Sequence, residues 1–80
     1  MNTKQAVAKR ILVLCAERDM AVNALANLSG VSPSTIYSML NKKSQNPGLV
    51  SIKKICDGLD ISIRGFFDDD MFDNLEQEIK

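Results

Sequence analysis

The sequence predicts an all-α fold of five short helices, and three observations carry that prediction. Apolar residues recur three and four positions apart in successive segments, serine, glycine and proline punctuate those segments, and no alternating β-branched run reaches strand length. At 80 residues, with 45% hydrophobic and 25% charged side chains, the chain has material for one small core and is too apolar for disorder.

The first segment sets Val7, Ile11, Leu14 and Cys15 on one face, predicting a helix from about Thr3 to Arg18. Ala24, Leu25 and Leu28 define a second, from about Ala21 to Leu28, which ends before Ser29-Gly30 because glycine accepts the left-handed conformation that closes a helix. Ser32-Pro33 starts the third. The serine hydroxyl can accept from exposed backbone amides, and proline in the first helical position lacks an N–H that would have no partner there. This helix places Ile36, Met39 and Leu40 on one face and Ser34, Tyr37, Ser38 and Asn41 on the other, ending near Lys42. Asn46-Pro47-Gly48 forces a loop, after which Leu49, Ile52, Ile55, Cys56 and Leu59 form a fourth amphipathic helix. Ser62 caps a fifth carrying Ile63, Phe66 and Phe67, and Phe67, Met71, Leu75 and Ile79 keep a spacing of four, predicting a helical tail.

The formal charge of zero conceals two halves. Met1 to Cys56 carries eight cations and two anions, a net +6, whereas Asp57 to Lys80 carries eight anions and two cations, a net −6. That asymmetry points to a basic binding face beside an acidic appendage. With no histidine and no Gly-rich phosphate loop or Ser-His or Cys-His arrangement, an enzyme is not expected. Two isolated cysteines cannot make a four-ligand zinc site and read as reduced core residues, and Asp68-Asp69-Asp70 lacks the ligand spacing of a calcium loop. No cofactor, metal or small-molecule substrate is expected. No apolar run approaches the roughly 18 residues of a membrane span and no signal peptide is evident, so a cytoplasmic protein without membrane contact is expected.

Two short helices joined by Ser29-Gly30-Val31, the second with a polar outer face, match a helix-turn-helix. The run from Leu25 to Tyr37, with Ala26, Gly30, Val31 and Ile36 in register, resembles the signature of the lambda repressor and Cro family, also called the XRE family. Asn46-Pro47, the fourth helix and the run from Asp60 to Phe67 resemble the rest of that domain, so the likeness covers about Ala6 to Phe67. The resemblance implies five helices around one core, with a helix-turn-helix DNA-binding domain over residues 1–67, its helix-turn-helix at about 21–42, and an acidic tail over 68–80. Small Ala26 lets the helices approach, Gly30 permits the turn, and Val31 and Ile36 bury it.

The DNA contacts form a different set. The start of the third helix presents backbone amides to phosphate, to which Ser32 can add its hydroxyl. Family position implies that Pro33, Ser34, Tyr37 and Ser38 face the groove, that Thr35 lies near them, and that Asn41, Lys42 and Lys43 lie by the DNA backbone. Serine hydroxyls suit any base, and Tyr37 or the Pro33 ring can meet a thymine methyl, but no Arg, Gln or Asn early in this helix offers a bidentate base contact. Three departures from the family pattern bear on the site. Val22 replaces a frequent phosphate-binding glutamine, leaving that contact to Asn23 or to nothing, and Lys42 and Asp60 occupy frequent glycine positions that call for left-handed backbone or a rearranged helix end.

The expectation is therefore a sequence-specific DNA-binding transcriptional regulator, a repressor, gripping double-stranded DNA as a homodimer on two half-sites about one helical turn apart. Dimerisation follows from the small footprint of one short helix. Phe66, Phe67, Met71, Phe72, Leu75 and Ile79 either supply the dimer contact or cap the core. A second class stays open: a protein-interaction module, such as an antitoxin or phage-type antagonist, docking through the acidic amphipathic tail.

Overall fold

The computed structural model describes residues 1–41 and 47–79. Five α-helices, α1 (Thr3–Glu17), α2 (Val22–Ser29), α3 (Pro33–Leu40), α4 (Leu49–Leu59) and α5 (Ile63–Phe66), are followed by one 3-10 turn at Asp70–Phe72, and no strand occurs among the described residues. The all-α, five-helix class is as the sequence predicts.

Helix starts follow local chemistry. Asn2 Oδ1 accepts the Gln5 N–H at 2.8 Å while the Gln5 side chain accepts the Asn2 N–H at 3.0 Å, a reciprocal capping box that the hydrophobic pattern does not announce. Ser32 caps α3 and Ser62 caps α5, both as expected, the latter accepting the Gly65 N–H at 2.9 Å. Helix α2 has no side-chain cap and depends on packing, through Leu25 and Ala26. The ends are equally local. Gly30 closes α2 at φ 71°, and Asp60 closes α4 at φ 58°, where Ile61 N–H returns to the Cys56 carbonyl at 2.9 Å. Asp60 thus takes the left-handed backbone of the glycine it replaces. Helix α3 stops at Leu40, two residues short of the expected end, because Asn41 is already extended; the expected left-handed Lys42 lies outside the described residues.

The core is built from Val7, Ile11, Leu14 and Cys15 of α1, Leu25 and Ala26 of α2, Val31 of the turn, Ile36 and Met39 of α3, the apolar stripe of α4, and Phe66. Helix α2 packs on α4 most closely at Gly58, where an added Cβ would sit 2.9 Å from the Ser29 Cα and N. No side chain other than hydrogen allows that approach. Cys15 and Cys56 are free and buried, and burial pushes both thiols above their ordinary pKa.

Arg10 departs from the simple reading of a basic body. Its side chain is buried, with Nε donating to the Phe66 carbonyl at 2.6 Å, one Nη donating to the Gly65 carbonyl at 3.0 Å, and the other 3.5 Å from Asp69 Oδ2. These are the end carbonyls of α5, so a cation from α1 closes a four-residue helix that could not hold itself. The guanidinium fork suits two carbonyls and a carboxylate at once.

The helical tail is corrected. Asp69 Oδ1 accepts the Met71 N–H at 2.9 Å and initiates only the 3-10 turn, after which no helix forms through residue 79. Three consecutive aspartates and Asp73-Asn74 are poor helix formers because their side chains compete for backbone groups. The chain instead runs back to α1: Glu76 N–H donates to the Met1 carbonyl at 3.2 Å, the Met1 ammonium lies 3.4 Å from Glu76, and Thr3 Oγ1 donates to Glu78 at 3.0 Å. Phe66, Phe67 and Phe72 form an edge-to-face cluster, with the Phe66–Phe67 and Phe67–Phe72 centroids each 4.9 Å apart. Phe66 is fully buried, and Phe67 and Phe72 pack on the core. Of the two roles expected for this apolar set, capping the chain's own core is the one these three rings take within the protomer, with Phe67 and Phe72 keeping a partly exposed edge.

Candidate nucleic-acid interface

The turn between α2 and α3 is held from within. Ser29 Oγ donates to the Leu25 carbonyl at 2.8 Å and accepts the Val31 N–H at 3.4 Å, while Gly30 supplies the left-handed step and Val31 is buried beneath it. Helix α3 then lies against both α1 and α2 through Ile36 and Met39. Because these two residues point inward, with Leu40 half-buried beside them, the helix turns Pro33, Ser34, Thr35, Tyr37 and Ser38 to solvent.

Every expected contact residue that is described is exposed: Ser32, Pro33, Ser34, Thr35, Tyr37, Ser38 and Asn41. Lys42 and Lys43 lie outside the described residues. The start of α3 is more self-contained than the sequence suggests. Ser32 Oγ accepts the Thr35 N–H at 3.3 Å and lies 2.8 Å from Thr35 Oγ1 and 3.2 Å from Ser34 Oγ, so its hydroxyl is engaged as a cap. At the other end, Lys4 Nζ donates to the Asn41 carbonyl and ties the end of α3 to α1.

Val22 is half-buried against the core and carries no polar group with which to hold a phosphate. Asn23, the next residue, is exposed and accepts the Tyr37 hydroxyl proton at 3.3 Å, joining the first turn of α2 to the middle of α3. The sequence named Asn23 only as a substitute for the missing glutamine; its exposed position one residue inside α2 is the signal that it belongs with Tyr37. Of the basic half, Arg10 is internal and faces Asp69, and Lys53 pairs with Asp57, both anions of the acidic half, so the outward positive surface is smaller than the formal +6.

An open groove of about 520 Å³ runs between the start of α1 and the C-terminal segment, floored by Val7, Ile52 and Phe67 and rimmed by Lys4 and Glu78. No residue of the exposed α3 face lines it. Among the described residues no cluster of three or more His, Cys, Asp or Glu could hold a metal ion, and no helix is long and apolar enough to cross a membrane. Asp69 serves instead as partner to Arg10 and cap to the 3-10 turn.

Two short helices, a glycine-closed turn and a solvent-facing polar second helix define a helix-turn-helix DNA-binding domain. The family model for the Cro/C1-type HTH DNA-binding domain matches residues 10–69, and the chain belongs to that family. Among solved structures, the chain is similar to prophage Lp1 protein 11, with a TM-score of 0.82 and 29% identity over 94% of this chain and 100% of that one. No curated protein matches the chain.

Proposed function

We propose that the protein is a sequence-specific transcriptional regulator, a repressor, that inserts α3 into the major groove of double-stranded DNA as a homodimer. The observation that carries this reading is the outward face of α3, where Pro33, Ser34, Tyr37 and Ser38 stand exposed on a helix fixed from behind by Ile36 and Met39. Thr35 and Ser32 sit at its start, and Asn41, Lys42 and Lys43 follow its end, where cations suit phosphate. The DNA-binding domain is assigned to residues 1–67 and the acidic tail to 68–80, and the packing of Phe72 supports extending the folded unit to that residue.

Repression by such a small unit requires only that it occupy its site, and the homodimer rests on footprint: an eight-residue helix covers few base pairs. The protein-interaction reading loses support, since its premise was an amphipathic tail helix and the tail lies along its own N-terminus instead. Titration of duplex DNA fragments in a gel-shift assay at low salt tests the proposal. Retarded complexes whose affinity falls steeply with salt are expected, and no retardation of any fragment at 50 mM salt would reject it.

A further inference from the structure

The bond between Tyr37 and Asn23 spans the two helices of the DNA-binding unit and leaves both side chains exposed, Tyr37 to 51%. A phenol has one proton to give, and here that proton is committed to Asn23 Oδ1. Outward, the Tyr37 oxygen has lone pairs only. Phosphate oxygens offer acceptors only, so a hydroxyl in this state makes no direct bond to them. In the major groove the base-edge donors are the exocyclic amino groups of adenine and cytosine. Asn23 has the complementary character. With its carbonyl oxygen used by Tyr37, its two amide N–H groups remain, and it stands in the first turn of α2, whose end no side chain caps.

We infer that this bridge fixes the polarity of recognition: Tyr37 accepts from the amino group of an adenine or cytosine, and Asn23 donates to the neighbouring phosphate. The inference rests on α3 being the groove-reading helix. The hydrogen bond also restrains the phenol against rotation, so the acceptor is placed before DNA arrives. This supplies discrimination on a helix whose first residues lack Arg, Gln and Asn.

The test selects sites from random duplex DNA with the wild-type protein, then titrates the best site and its single-base variants with wild type, Tyr37→Phe, Asn23→Asp and Asn23→Ala. Both residues are exposed, and thermal unfolding verifies that the variants remain folded. At one half-site position the wild type prefers adenine or cytosine over guanine and thymine by about threefold to tenfold, the range of one hydrogen bond. Tyr37→Phe abolishes that preference. Asn23→Asp keeps the acceptor for Tyr37 but replaces the amide donor by a negative charge, so it retains the preference while weakening every sequence alike; Asn23→Ala loses both. The inference is overturned if Tyr37→Phe leaves the preference intact, if the position it governs favours thymine, as a ring-to-methyl contact would, or if Asn23→Asp erases the preference. A wild type that enriches no DNA rejects the groove-reading proposal itself and the inference with it.

Discussion

Arg10 shows how far one residue's role can lie from its charge. Counted in the sequence as part of a basic face, it instead joins α1 to the end of α5 and to Asp69, across 55 and 56 residues for its two carbonyl bonds. Arg10→Ala leaves the Phe66 carbonyl without its donor in a buried site and takes the guanidinium away from Asp69 and from the Gly65 carbonyl, which keeps the Asp68 N–H. The expected cost is about 2 to 4 kcal/mol, lowering the thermal midpoint by roughly 10 °C or more; a shift within 2 °C of wild type would contradict the role assigned to Arg10. The buried thiols make a second prediction. Their pKa values are raised in the folded chain, so the neutral thiol is favoured there and the associated stability is fully present below the unfolded-state pKa. It is lost as the unfolded chain ionises, above about pH 8.5. Alkylation of Cys15 and Cys56 by iodoacetamide at pH 8 should be slow in the native protein and fast in urea, and stability should decline between pH 8 and 10 more in wild type than in a Cys15→Ala, Cys56→Ala double variant.

At the scale of elements, α3 and α5 were legible because their signals are local: Ser32-Pro33 and Ser62 act on amides within three residues. Gly30 likewise announces the end of α2. Gly58 was not legible, since nothing within α4 reveals that Ser29 of α2 lies against it. Gly58→Ala improves helix propensity by about 1 kcal/mol yet forces backbone apart, and net destabilisation of about 1 to 3 kcal/mol is expected. Urea unfolding measures it, and a stabilised variant would show that the α2–α4 contact yields easily. The tail failed for a different reason. Phe67, Met71, Leu75 and Ile79 have helical spacing, but Asp69 is held by Arg10 and caps a 3-10 turn, and Ile79 remains 90% exposed with no core to bury it. Periodicity predicts a helix only where there is a surface to receive its apolar face. In the candidate site, exposure of the α3 face followed from the positions of Ile36 and Met39, whereas the Tyr37–Asn23 bond depends on the crossing of two helices.

For the molecule as a whole, the zero net charge combines a DNA-binding body with an acidic segment that is partly structural. Its two stretches should behave differently on truncation. Removing residues 74–80 deletes the exposed contacts of Glu76 and Glu78 and should move the thermal midpoint by no more than a few degrees. Removing residues 68–80 also deletes Asp69 and Phe72, with an expected loss of about 3 kcal/mol or more; equal midpoints for the two truncations would contradict the assignment of residues 69–72 to the folded unit. The central claim, that α3 reads the major groove in a symmetric pair, is tested most directly by selecting binding sites from random duplex DNA with the 80-residue chain. A pair of inverted half-sites centred about 10 base pairs apart is the result expected of a homodimer. Enrichment of no sequence at low salt, or of a single unrepeated half-site, would contradict it.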